Sequence, residues 1–358
     1  MSVHATIDLD QALKKIATRQ SLNDVHFLVQ LVRHALELTP KSIHISEQNE
    51  TWTLSHDGAS PQLLEVSAIM NLINGNGSID DLTILETQFG VALLSCFVNF
   101  THTTLSFSNT TLTQKDGRYI LLPTGKEING YHLSFMNNGK LETDPYRELL
   151  FYCSSVKVPL TYNSIEINHP KRIPPLVFQS IWETDHGEGL VGIPHSGSDS
   201  TFHFYKNGVL FGVKHFTPKD GRLLYGYWDV PGTSYESDFE ESIETALNLL
   251  QQQGQHLYNN LGDYYSELEP IEKKRIKQIL LNVSQQWWKG SLSSMGLFNL
   301  GHGTFNLSLS EIKSRIENEL SFPFQSTLSQ NKSNKVATLS PEDVYFLKEK
   351  MGLPLRML

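Results

Sequence analysis

Gln30, His34 and Glu37 stand at i, i+4 and i+7 in the segment Phe27-Leu-Val-Gln-Leu-Val-Arg-His-Ala-Leu-Glu-Leu38. A helix there carries an amide, an imidazole and a carboxylate on one stripe. A carboxylate can accept a proton from attacking water, and an amide cannot. Taken alone, the stripe also suits the solvated face of a core helix, because Phe27, Leu28, Leu31, Val32 and Ala35 supply an apolar remainder. Three further segments follow in order. The strand Trp52-Thr-Leu-Ser-His56 runs into Asp57-Gly58-Ala59-Ser60-Pro61; a loop Asn74-Gly75-Asn76-Gly77-Ser78 comes after the next helix; and Gln88-Phe89-Gly90-Val91-Ala92-Leu93-Leu94-Ser95 opens an apolar helix.

The elements that must position these groups are those of an α/β chain. Periodicity predicts helices over 9–19, 24–38, 61–73 and 85–97, with strands near 41–46, 51–55 and 102–108. Short strands at 119–122 and 131–135 are expected next, with Lys115-Asp116-Gly117 and Asn129-Gly130 as turns. Asp144-Pro145 is an N-cap followed by proline at the first helical position, so a helix is expected over 146–155, leading into strands at 158–168. Pro170, Pro174 and Pro175 break the pattern. Strands resume at 188–193, 201–205 and 208–215, with Lys206-Asn207-Gly208 as a hairpin turn, and end in the aromatic run 224–228. Residues 237–288 read as helical, 325–336 as a loose linker, and Ser340-Pro341-Glu342-Asp343 as a cap before a short helix.

Composition bounds the function. The 358 residues are 39% hydrophobic and 19% charged with a net charge of -9, which suits two or three folded domains and supplies no general electrostatic drive toward nucleic acid or anionic membrane. Cys96 and Cys153 are the only cysteines, too few for a disulfide framework or a zinc cluster. No stretch reaches the roughly 18 apolar residues of a membrane helix, and the first residues do not form a secretory signal. The expectation is a cytoplasmic protein that spans no membrane and binds no nucleic acid.

The order of the motifs resembles the histidine kinase, gyrase and Hsp90-like ATPase superfamily, nearest its Hsp90 branch. Residues 27–38 look like its Phe-Leu-x-Glu-Leu-Ile-x-Asn-Ala-x-Asp-Ala helix, 56–60 fall at its Asp-x-Gly-x-Gly turn, and Gln88 to Ser95 look like its Gln-Phe-Gly-Val-Gly-Phe-x-Ser segment. Gly130-Tyr131-His132-Leu133 sits at its last pocket strand. The resemblance covers about residues 20–136 and thins over 144–230, where the order is similar to the ribosomal-S5-like domain that follows in that superfamily. It implies a Bergerat-type α/β sandwich at 1–142, an S5-like α/β domain at 143–235 and a mainly helical region at 236–358. It also implies ATP or ADP with Mg²⁺ as ligand, held by His34, Glu37, His56, Asp57, Gly58, Gly75, Gly77, Gln88, Gly90, Val91 and Tyr131, and a chaperone-like or regulatory role with a protein partner or client. Members often form homodimers through carboxy-terminal regions, but the tail here resembles none of them.

The departures bear on the chemistry. Gln30 stands where the family has its catalytic glutamate. His34 stands at the magnesium-holding asparagine, although Mg²⁺ prefers hard oxygen ligands. Even spacing from Trp52 and Leu54 puts His56 at the family's adenine-binding aspartate, unless a one-residue bulge brings Asp57 there. Ser60, Ala92 and Tyr131 each replace a smaller family residue. Glu37, Gly58, Gly90 and the start of the 91–98 helix are retained, and that helix start could cradle an anion. Two readings follow: a nucleotide-responsive protein with little or no hydrolysis, or an interaction protein whose pocket is closed. Elsewhere, His195-Ser-Gly-Ser-Asp199 and His186-Gly-Glu188 contain triad residue types without evidence of convergence, Lys214 or Lys219 could serve a γ-phosphate, and Trp287-Trp288 and Tyr264-Tyr265 read as packing aromatics.

Overall fold

The computed structural model describes residues 23–78, 80–137, 139, 141–184, 187–231, 239–300, 305–327 and 336–358. The helix expected over 9–19 and most of the 325–336 linker lie outside the described residues. The chain is mixed α/β and divides into two compact units. One takes the chain up to Arg172 with Phe204–Gly212 and Asp229–Ile243; the other takes Ile173–His203, Val213–Trp228 and Glu244–Leu358.

In the first unit α1 (His26–Glu37) is followed by β1 (Ile43–Gln48), β2 (Thr51–His56), α2 (Leu63–Ile73), a 3-10 turn at Asp80–Glu86 and α3 (Gln88–Asn99). Next come β3 (Thr101–Lys115), β4 (Arg118–Met136), α4 (Pro145–Cys153), β5 (Leu160–Tyr162) and β6 (Ile165–Glu166). The sheet order is β3-β4-β2-β1-β5-β6, antiparallel except where β1 runs parallel to β5. Alternation buries one face. Ile45, Leu54, Leu133 and Leu105 form one cross-strand row, and Ile43, His56, Tyr131 and Phe107 form the next. These rows pack with the buried sides of α1 and α3 in one continuous core.

Local chemistry explains the boundaries. Asp144 accepts from the Tyr146 amide with Pro145 in the first turn, as its sequence predicts. Asp116 and Gly117 both have positive φ, which joins β3 to β4 in a two-residue hairpin turn. The expected turn at Asn129-Gly130 is a correction: β4 runs unbroken through it, and the register against β3 shifts between Phe107 and Thr110. Gly130 has φ +68°, and a Cβ there would lie 2.1 Å from the His56 carbonyl oxygen. The turn residues mark a β-bulge.

The middle of the chain forms a five-stranded sheet, β10-β9-β11-β8-β7. Its strands are β7 (Leu176–Thr184), β8 (Gly187–Pro194), β9 (Ser200–Lys206), β10 (Val209–Phe216) and β11 (Tyr225–Val230). The sequence reading missed β7, which starts directly after the prolines. Positive φ at Asn207 and Gly208 confirms the β9–β10 turn.

The helices expected next are α5 (Phe239–Tyr265), which belongs to the second unit from Glu244 on, and α6 (Pro270–Leu280). Past them the region also carries a sheet that the sequence reading did not contain. After α7 (Ser291–Ser294) come β12 (Gly296–Leu300), β13 (Phe305–Ser308), α8 (Leu309–Glu319), β14 (Phe322–Ser326), β15 (Ala337–Leu339), α9 (Pro341–Tyr345) and β16 (Leu355–Met357). The strands form a sheet in the order β13-β12-β15-β14-β16. At three to five residues each, they are too short to display a period of two. Ser308 and Ser340 form capping boxes with Glu311 and Asp343, the second as expected. Among the described residues no helix is long and apolar enough to cross a membrane.

Candidate functional site

The α1 stripe faces inward. Gln30 and His34 are buried and Glu37 is half-buried at the helix end. His56 arrives from β2 on the same side, because the β1–β2 register runs without a break from Gln48↔Thr51 to Ile43↔His56. No bulge exchanges it for Asp57. Asp57 is exposed, and its Oδ1 accepts from the Lys41 amide at 2.7 Å and the Ser42 amide at 3.0 Å. Those amides hold its carboxyl below the usual range. Asp57 ties a loop to the strand end and is turned to solvent, outside the buried ring cluster, a correction to its place in the expected pocket.

Four rings meet where the helix stripe faces the sheet. His34 stacks on Phe89 with centroids 3.8 Å apart and planes 19° from parallel. Tyr131 lies 5.8 Å from His34 and 6.0 Å from Phe89, and His56 meets Tyr131 edge-on at 4.4 Å. The Tyr131 hydroxyl donates to the Leu31 carbonyl of α1 at 3.3 Å. All four side chains are at most 6% exposed. Stacking at van der Waals distance leaves no slot for another planar group between His34 and Phe89.

Burial sets the protonation states. Desolvation pushes the His34 imidazole down to about 3, with the neighbouring His56 adding to the effect. It pushes His56 down to about 4 against a small opposing pull from Asp57, so both rings are neutral at pH 7. His56 Nδ1 accepts from the Gly58 amide at 3.1 Å, which places the ring proton on Nε2. Burial pushes the Glu37 carboxyl up to about 7, opposed by Lys206 and reinforced by Glu65. Buried His34 Nδ1, His56 Nε2, Glu37 Oε1 and Ser95 Oγ have no hydrogen-bond partner among the described residues.

The retained glycines answer to backbone packing. A Cβ on Gly58 would lie 2.3 Å from the Leu38 carbonyl oxygen, and one on Gly90 would lie 2.0 Å from that of Ile84. The helix start at Gly90-Val91 does not offer an anion cradle, since the Gly90 amide donates to Thr87 Oγ1 and the Val91 amide to the Thr87 carbonyl. The side chain of Gln88 lies outside the described residues. Gly75 has φ +71° in open space and Gly77 abuts Leu72. The loop carrying them is anchored, because the Asn74 amide group donates to the Tyr119 carbonyl at 2.7 Å and accepts from the Tyr119 amide at 2.9 Å. Ser60, at the second turn glycine of the family, bridges β3 and β4 by donating to the Gly130 carbonyl and accepting from the Ser108 amide.

ATP or ADP with Mg²⁺ does not fit this arrangement. Rings occupy the space, the Gly90 and Val91 amides are spent, Gln30 cannot act as a base, and His34 Nδ1 is a poor magnesium ligand. Among the described residues no group of three or more His, Cys, Asp or Glu is placed to hold a metal ion.

Three residues that sequence reasoning passed over complete the site. Phe89 was visible as part of the matched motif but was not assigned a role. Arg33, buried, donates from Nη2 to the Leu210 carbonyl at 3.0 Å, and its guanidinium lies 3.9 Å over the Phe211 ring. Lys206 is the lysine whose charge acts on Glu37, whereas Lys214 and Lys219 are exposed. No local signal in the turn Lys206-Asn207-Gly208 reveals this. His195 contacts Arg275 while Ser198 donates to Asp199, so that segment assembles no triad. His186 lies outside the described residues.

No protein-family model matches the chain, and no curated protein matches it in sequence.

Proposed function

We infer that the first unit is an Hsp90-like α/β sandwich whose nucleotide pocket is filled by its own side chains, and that the protein works as a non-hydrolysing scaffold or interaction protein. The stack of His34 on Phe89, closed by Tyr131, carries this reading. Gln30 at the general-base position and Thr87 on the helix-start amides support it. The succession of α1, a strand pair, α2, α3 and a long hairpin over one buried sheet face agrees with the fold that the motifs imply. A scaffold acts through a protein partner or a second copy of itself, and the compartment consistent with two buried free thiols is a reducing one.

Phosphate release from Mg²⁺-ATP tests the chemistry. The wild type and Gln30→Glu should both match the protein-free rate, because a restored base has no bound nucleotide to serve. Turnover by either protein, suppressed by a non-hydrolysable analogue, would overturn the reading. The nucleotide-responsive alternative draws on one observation. The unpartnered Glu37 Oε1, His34 Nδ1 and His56 Nε2 would find partners if a ligand displaced Phe89.

A further inference from the structure

In the second unit a groove of about 820 Å³ lies between α5 and the loop 216–222. Asn248, Gln251, Gln252 and Gln255 line its helical wall, at i, i+3, i+4 and i+7, and so form one stripe. The opposite stripe of α5 is buried through Leu250, Gly254, Leu257, Tyr258 and Leu261, so the amides are held on a fixed helix facing outward. Each primary amide offers two donors and an acceptor. Among the described residues, none of the four uses its side chain in a hydrogen bond.

The facing wall is already built. Asp220 holds Arg222 through contacts of 2.7 and 2.8 Å to its guanidinium and accepts from its amide at 3.1 Å. The Arg222 guanidinium lies 3.4 Å over the Trp287 ring. Gly221, with φ +76°, brings the loop against the Asn282 carbonyl oxygen, which a Cβ would meet at 2.1 Å. Asp220 and Arg222 are therefore neutralised by each other. Exposed Lys219 is left as the cation of the lining that makes no ion pair among the described residues.

We propose that this groove binds an extended polypeptide segment through its main chain, with an acidic side chain or terminal carboxylate of that segment at Lys219. Helix neighbours three and four apart have Cβ atoms about 5–6 Å from each other, and like-facing peptide groups of a strand repeat every ~6.6 Å. Asn248, either Gln251 or Gln252, and Gln255 can thus reach successive peptide groups on one edge. The chain already contains such a clamp, for Asn74 grips both the amide and the carbonyl of Tyr119 on β4. Recognition of this kind tolerates many sequences. The proposal uses no residue of the ring cluster and is independent of whether that pocket takes nucleotide.

The probe is fluorescein-labelled, reduced and carboxymethylated α-lactalbumin, an acidic chain that stays unfolded, titrated with the full-length protein at low salt and followed by anisotropy. Micromolar binding is expected. The combined variant Asn248→Ala, Gln251→Ala, Gln252→Ala, Gln255→Ala should weaken it at least tenfold without lowering the thermal midpoint, since alanine favours the exposed helix face, and Lys219→Glu should weaken it several-fold. Absence of binding at millimolar protein, or binding that the combined variant leaves unchanged, would overturn the proposal. So would maltoheptaose binding that the combined variant abolishes, which would make the groove a sugar site.

Discussion

The imidazole of His34 lies flat on the ring of Phe89, with 3.8 Å between centroids. One residue comes from the last turn of α1 and the other from the first turn of α3, so the stack joins two helices across the place where the motif order implies a nucleotide. The pair is buried and neutral, and it packs against Tyr131 and through it against His56. A site that served phosphate chemistry would keep open space and charge here. This one is buried and aromatic.

Phe89→Ala removes the ring that fills the stack. Loss of a buried phenylalanine costs about 3–5 kcal/mol, and chemical denaturation of the variant against wild type should show a loss in that range. A change below about 1 kcal/mol would mean that the ring is not part of a packed core.

Gly90→Ala and Gly75→Ala separate backbone packing from nucleotide binding as the reason for these glycines. A Cβ at Gly90 meets the Ile84 carbonyl at 2.0 Å, whereas at Gly75 it meets nothing within 4 Å. Gly90→Ala should destabilise by more than about 2 kcal/mol through backbone displacement. Gly75→Ala should lose only about 1 kcal/mol from its positive φ. Equal effects on the two midpoints would contradict this account.

Arg33→Lys tests whether shape or charge holds the guanidinium in place. Lysine keeps the positive charge but loses the planar contact with Phe211 and the directed bond to the Leu210 carbonyl. The midpoint should fall about as far as in Arg33→Met, a loss of about 2 kcal/mol for a hydrogen bond from a charged group. Full recovery by lysine would show that charge alone suffices.

Acid stability follows from the three perturbed groups. His34 and His56 titrate near 3 and 4 in the folded protein, below the ordinary histidine value. The unfolded chain therefore takes up their protons first, and stability falls as pH drops from about 6.5 toward 4. Glu37 has the opposite sign. Its folded value of about 7 lies above the ordinary carboxyl value, so its contribution is full below about 4.5 and is lost as pH rises through 7. In Glu37→Gln the decline between pH 6.5 and 4.5 should be steeper than in wild type, with denaturation midpoints at half-unit steps as the readout. A shallower decline would contradict the assigned burial of the carboxyl.

Much of the first unit was legible because its signals are local. The apolar remainder of 27–38, even spacing on Trp52, Leu54 and His56, and Asp144-Pro145 each specify an element without reference to the rest of the chain. Asn129-Gly130 misled, since the same dipeptide serves a hairpin turn or a bulge and only the length of β3 decides between them. The short strands after Gly290 carry too few residues for a period, and β14, β15 and β16 gain their identity from parallel pairing with partners that are not adjacent in a hairpin. At the site, spacing placed His34 on the α1 stripe and His56 on its strand face, and the motif resemblance named Tyr131. Their mutual stacking, the outward turn of Asp57 and the approach of Lys206 depend on tertiary packing that spacing does not contain.

Calorimetric titration of ATP and of ADP into the full-length protein, with Mg²⁺ and again with EDTA, tests the filled pocket most directly. The account predicts no saturable heat up to millimolar nucleotide in either condition. Saturable one-to-one binding in the micromolar range would contradict it, and would mean that the His34–Phe89 stack opens to admit a ligand.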